Sequence, residues 1–297
     1  MEPQASPVLS QEQIEHFMRH GFVRVPKCFS QQKADRMAGD VWERLGFSPT
    51  DKSTWTNEVT YMDETKITSI KPFAPRAWAA ICQLLGGEDR VNRESANWND
   101  AFIVNLGSPE SEGTWPSPAE LTGWHVDGDF FVHFLDLPEQ ALLVIPLFTS
   151  IQERAGGTMV CSDAMKAIAQ HLYDRVSPFM LPRGQEPDGN PFDTPFYSDI
   201  VQNCSEFHEM TGDVGDVILL HPLTFHSVAV NSLRHPRIIT NSLASLKEPF
   251  NLDRDDPKQY SIVEKTTLEL LGKDRLRGWK IKGKREFVVP EWEKQRR

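Results

Sequence analysis

The chain has 297 residues, 39% of them hydrophobic and 10% aromatic, enough for a sizeable core in one large β-rich domain. Its formal net charge of −10 argues against a nucleic-acid-binding surface or a generally basic membrane face. Four cysteines, widely spaced and forming no CxxC, exclude a zinc ribbon or a disulfide scaffold and fit a reducing compartment.

"MEPQASPVLS" at the start lacks the basic head and apolar core of a signal peptide, and "EKQRR" at the end is not an SKL-type signal. No apolar run approaches the roughly 20 residues that span a bilayer. These features lead us to expect a soluble, cytoplasmic protein with neither membrane nor nucleic acid as partner.

The N-terminal part reads helical. "SQEQIEHFMRHG" offers Ser10 as N-cap, Gln13 three residues on, an apolar i, i+3/i+4 face and Gly21 as stop. "FVRVPKCF" is a short alternating strand, "SQQKADRMAGDVWERLG" a second capped helix ending at Gly46, and "RAWAAICQLLGG" a third. From about residue 100 the texture changes to short runs rich in β-branched and aromatic residues. These are "AFIVNL", "LTGWHVD", "FFVHFL", "ALLVIPLFTS", "GTMVCS", "SEFHEM", "DVILL", "TFHSVAV" and "RIITNSLASL". Closely spaced strands with one interrupting helix, "SDAMKAIAQHLYDRV", predict a barrel or sandwich.

Two long Pro/Gly/Ser-rich loops, 107–120 and 182–195, are candidates for lids or surface insertions. "QYSIVEKTTLELLG" is a last helix. Beyond it lies a tail with ten Lys/Arg against four Asp/Glu from Lys273 onward, whose plainest use is to lie on the acidic body. The division expected is one catalytic domain: 1–98 mainly helical, 99–246 a β-barrel core, 247–297 a helix and basic tail.

"LTGWHVDGDFF" sets His125 and Asp127 two apart, on one face of a strand. "GDVGDVILLHPLTFHSVAVNSLRHPRIITNS" then offers His221 or His226 as a third ligand. His221 precedes Pro222 at a strand break and reads as structural, whereas His226 opens the resumed strand. Two imidazoles and one carboxylate on a single metal face leave positions open for O₂ and a chelating co-substrate, the arrangement of non-haem Fe(II) oxygenases. Arg237, eleven residues beyond His226 in an apolar strand, suits the distal carboxylate of a keto-diacid in a dry barrel. Trp124, His133 and His208 read as core residues, Phe130 and Phe131 as core or pocket lining, and Asp129 and Asp136 as solvent-facing.

HxD, about a hundred residues, then "GD-V-hydrophobic-HP-hydrophobic-H" and an arginine: this pattern resembles the phytanoyl-CoA dioxygenase family of Fe(II)/2-oxoglutarate oxygenases. "QIEHFMRHGFVRVPKCFS" and "ERAGGTMV" resemble that family's opening and its Gly-Thr turn. The resemblance implies a mainly β fold with flanking helices, a double-stranded β-helix (jelly-roll or cupin-like) barrel. It implies Fe(II), 2-oxoglutarate and O₂, with oxidation of a small organic substrate, a chemistry met in secondary metabolism. His125, Asp127 and His226 would hold iron and Arg237 the co-substrate's C5 carboxylate. Thr158 and, less directly, Asn105 would support the co-substrate, with Lys66 or Lys71 as the upstream helper. The turn departs from the family in reading "AGG" and "VCSDA", and Val228 replaces a small polar residue. A cupin-like binding barrel without turnover and a zinc hydrolase are the alternatives; neither accounts for Arg237.

Overall fold

The structure, a computed structural model, describes residues 7–128, 130–174, 195–287 and 289. Nearly all of the loop expected over 182–195, residue 129 and the end of the basic tail lie outside them. Among the described residues no helix is long and apolar enough to cross a membrane.

The chain begins with α1 (Gln11–His20), whose capping box pairs Ser10 with Gln13 and whose exit is Gly21 at φ 77°. That left-handed turn feeds β1 (Phe22–Val25) directly. The second expected helix is two, α2 (Gln31–Ala38) and α3 (Val41–Leu45). Gly39 is a poor helix former, and Asp40 sits at φ −96°, ψ 3°, off the helical track, with its carboxylate paired to Lys66. Next come β2 (Val59–Tyr61), β3 (Ile67–Ser69), α4 (Ile70–Phe73), α5 (Pro75–Leu85) and β4 (Asn97–Asn99). The region expected to be mainly helical therefore also carries four short strands.

The core strands are β5 (Ile103–Asn105), β6 (Leu142–Pro146) and β7 (Thr158–Cys161), then α6 (Ala164–Asp174), α7 (Pro195–Gln202) and β8 (Phe207–Glu209). They continue with β9 (Val217–Leu220), β10 (Phe225–Val228), β11 (Arg237–Ile239) and β12 (Ser242–Ala244), and α8 (Ile262–Leu270) follows. "RIITNSLASL" is thus a broken strand, pairing through β11 with β5 and through β12 with β6. The bridge Leu147↔Ile239 joins the two pieces to one sheet. That sheet runs β1–β9–β6–β12/β11–β5–β2, and a second runs β10–β7–β8 with His125 bridged to His226 on its other edge. All ladders are antiparallel, and the chain alternates between the sheets as it winds. This is a double-stranded β-helix, or jelly roll.

Side-chain alternation sorts the core into layers. Ile218 and Leu220 of β9 point between the sheets, where they meet Leu143, Ile145, Val160 and Ile239. Val217 and Leu219 point outward under Phe17, Met37, Ile81 and Leu84 of the helices. On the second sheet Met159, Cys161 and Phe225 face outward beneath Ile168, Leu172 and Ile200. His226, Thr158 and Arg237 occupy the inward phase of their strands.

Two expected strands are not ladders. Among the described residues the only pairing of the HxD segment is the His125 bridge, and "FFVHFL" contributes a bridge between Phe131 and Phe287. The basic tail does lie on the body: Arg285 pairs with Asp136 at 2.8 Å, and Val132 N–H donates to Glu286 O at 3.0 Å. Asp136 is therefore a half-buried ion-pair partner, not the solvent-facing residue expected. Phe131 is buried and Phe130 is substantially exposed.

Candidate active site

Two backbone hydrogen bonds, His125 N–H to His226 O and His226 N–H to His125 O, both 2.9 Å, lock the histidines opposite one another. Their rings lie 4.4 Å apart. Ser227 Oγ, donating to Thr122 O at 2.6 Å, fastens the same segment to β10. Trp124 points the other way, stacked on Phe225 and tilted against Phe207, as strand phase predicts.

Each imidazole has its Nδ1 committed, His125 to Gly123 O at 2.6 Å and His226 to Thr224 O at 3.0 Å. A carbonyl accepts only, so Nδ1 carries the proton and Nε2 presents its lone pair. Both Nε2 atoms face Asp127, at 3.3 Å from Oδ1 for His125 and 3.5 Å from Oδ2 for His226. His226 Nε2 is buried and makes no hydrogen bond among the described residues. The three donor atoms fall within 4.8 Å of one another. Without a metal, burial alone would push the Asp127 carboxyl up, but attraction to the two histidines in their protonated form outweighs it and holds it well below the usual carboxylate range. A bound metal would take the place of those protons. The set fits a divalent transition metal: two neutral nitrogens with fixed tautomers and an ionised oxygen.

The chain turns sharply after Asp127. Gly128 has φ 114°, and a Cβ there would meet Phe131 at 2.5 Å and the His133 ring at 2.8 Å. The His133 ring N–H donates to Gly128 O at 2.7 Å, so this histidine is structural, as expected. His221 is too: its Nδ1 accepts from Leu223 N–H at 3.2 Å and its Nε2 meets Thr267 Oγ1 at 3.1 Å.

Arg237 is fully buried, and its only hydrogen bond among the described residues runs from Nη2 to Thr158 Oγ1 at 3.2 Å. Nε and Nη1 are buried with no hydrogen-bond partner among the described residues. Burial lowers the guanidinium pKa to about 10, so it stays charged at neutral pH. Asn105 stands beside Arg237 in register on the adjoining strand. Its side chain bonds Gly107 N–H at 3.0 Å and Ala229 O at 3.4 Å, while Asn231 bonds its carbonyl.

Sequence reasoning missed Glu209, whose carboxylate accepts from Arg154 N–H at 2.7 Å and Gly157 N–H at 3.0 Å. It pins the Gly-Gly turn that presents Thr158. Only the pairing of β7 with β8 brings it there. Lys66 and Lys71 are not brought to the site: each is half-exposed and ion-paired, with Asp40 and Glu88 respectively.

No protein-family model matches the chain, and no curated protein matches it. Among solved structures it is similar to SnoK, a non-haem α-ketoglutarate-dependent carbocyclase from nogalamycin biosynthesis. That match has 16% identity and a TM-score of 0.46, over 82% of this chain and 87% of that one. It is also similar to HygX from Streptomyces hygroscopicus, solved with nickel, 2-oxoglutarate and hygromycin B, at 11% identity and a TM-score of 0.43 over 80% and 88%. EctD from S. alaskensis, solved with 2-oxoglutarate and 5-hydroxyectoine, matches at 15% identity and 0.43 over 84% and 82%.

Proposed function

We propose that the chain is a non-haem Fe(II)/2-oxoglutarate-dependent dioxygenase of the phytanoyl-CoA dioxygenase-like type, acting as one catalytic unit on a small organic substrate. The observation that carries this reading is the convergence of a ligand-type cluster and a buried guanidinium on the inward face of one barrel. The imidazole Nε2 atoms of His125 and His226 converge on Asp127, and the buried Arg237 keeps Nε and Nη1 unspent.

His125, Asp127 and His226 would hold Fe(II), which when bound supplies the redox chemistry that couples O₂ and 2-oxoglutarate decarboxylation to substrate oxidation. Arg237 would clamp the distal carboxylate of 2-oxoglutarate, where a planar fork can donate twice. Thr158 orients that fork through its hydroxyl, and Asn105 steadies the adjoining strand. Asp127 stays ionised throughout, and the apolar lining from Ile145, Val160, Ile218 and Ile239 keeps bulk water from the guanidinium. A binding barrel without turnover, or a hydrolase, has no use for Arg237's two unspent donors. Four free thiols favour a reducing setting such as the cytoplasm.

The test needs no primary substrate. Fe(II) followed by 2-oxoglutarate, added without oxygen, should give the weak visible charge-transfer band of a chelated keto acid in the wild type. His226→Ala and Asp127→Ala should lack it while keeping a native circular dichroism spectrum. A folded wild type with no band would sink the assignment.

A further inference from the structure

A second group of ligand-type side chains lies outside this site. His20, Glu206 and His208 place one donor atom each within 4.8 Å of one another. His20 Nδ1 is 3.8 Å from Glu206 Oε2, and the two imidazoles meet edge to face at 5.1 Å. His208 reads from sequence as a satisfied structural histidine, yet its Nε2 is buried with no hydrogen-bond partner among the described residues, and so is His20 Nδ1. Two buried nitrogens without hydrogen bonds among the described residues, clustered with a carboxylate, are the kind of orphaned donor set that a ligand resolves.

Aromatic rings pack around both imidazoles. Phe22 lies 5.3 Å from the His208 ring and His16 4.7 Å from the His20 ring. A neutral imidazole offers its lone pair to a metal.

The location gives such an ion a task. His20 is the last residue of α1, Gly21 turns the chain straight into β1, and Ser162 Oγ donates to His20 O at 2.8 Å. β1 is an edge of the larger sheet and β8 an edge of the second. A cleft of about 810 Å³, lined by His16, Phe22 and His208 among others, opens between them. We propose that His20, Glu206 and His208 form a second divalent-metal site of the zinc class, which fastens β1 to β8 across the open side of the barrel. Two nitrogens and one carboxylate oxygen suit Zn²⁺, with water from the cleft as the fourth ligand.

Zinc alone is the probe. The metal-stripped chain would be dialysed against excess Zn²⁺ and the bound ions counted. The wild type should hold two, and Glu206→Ala, His208→Ala and His226→Ala one each. The double variant His226→Ala/Glu206→Ala should hold none. Glu206 is half-exposed, so its removal spares the core if His208→Ala misfolds. In the His226→Ala background, Zn²⁺ should raise the unfolding temperature, and adding Glu206→Ala should remove that rise. Equal counts in the wild type, Glu206→Ala and His208→Ala would overturn the second site. Equal counts in the wild type and His226→Ala would count against the first site and leave the second standing.

Discussion

Two sets of buried polar groups in this molecule differ in one respect, whether their hydrogen bonds are complete. Glu264 on α8 is fully buried, and both its oxygens are spent. Oε1 accepts from Arg90 at 2.7 Å, Arg254 at 3.0 Å and Asn251 N–H at 2.9 Å, while Oε2 accepts from Arg90 at 3.2 Å and Ser261 N–H at 2.6 Å. Burial would raise its pKa, but these bonds outweigh burial and lower it. Arg237 is also deeply buried and has a single hydrogen bond among the described residues. His221 and His226 repeat the contrast five residues apart: His221 uses both ring nitrogens, and His226 leaves Nε2 over. A closed buried set holds the fold together, and an open one is a place for something to bind.

The closed set should show the largest effect on stability. Glu264→Ala leaves two arginines facing a vacated buried site and should cost about 3–5 kcal/mol of unfolding free energy, read by urea denaturation. A loss under about 1 kcal/mol would erase the distinction drawn here.

Arg237→Met should behave in the opposite way. Replacing an unsatisfied buried charge with an apolar chain should leave stability within about 1 kcal/mol of wild type, or raise it. The same change should weaken 2-oxoglutarate binding by at least about 30-fold, roughly 2 kcal/mol, because a desolvated charge pair is lost. Titration of the charge-transfer band reads the second quantity. Strong destabilisation with unchanged binding would make Arg237 structural.

The two histidines give a pH-dependent version. Burial lowers the pKa of His221 from 6.5 to about 3, and protonating Nδ1 would displace the Leu223 N–H it accepts. Between those values the unfolded chain binds a proton that the folded chain refuses. The stability from neutral His221 is therefore whole above pH 6.5 and declines as pH falls towards 3. Its replacement by Phe should remove up to about 1.4 kcal/mol per pH unit from the acid slope of unfolding free energy. An identical slope in the variant would mean that His221 is not held neutral. The smallest effect belongs to Thr158→Val, which removes one hydrogen bond to Arg237. It should weaken 2-oxoglutarate binding by about 1 kcal/mol, near fivefold, with the iron site unaltered.

The sequence made some of this legible because some of the physics is local. Ser10 and Gln13 cap α1, Gly21 and Gly86 end helices at positive φ, and Ser261 with Glu264 caps α8, each within a few residues. His125 and Asp127, two residues apart, needed only a local backbone turn to converge. His226 and Arg237 were identifiable because each occupies the inward phase of a strand whose apolar residues could be counted.

Partners far apart in the chain were not legible. His125 meets His226 only because antiparallel pairing sets their register, and one slip would turn His226 outward. Glu209 reaches the Gly-Gly turn through the β7–β8 ladder, and His20 meets His208 only where two sheet edges approach. Lys66 and Lys71 looked available until folding gave them Asp40 and Glu88. Residue type, capping and strand phase thus determined which side chains could carry chemistry. The long-range closure of the barrel alone decided which of them are left with unspent donors, because hydrogen-bond completion depends on neighbours that the local chain does not contain.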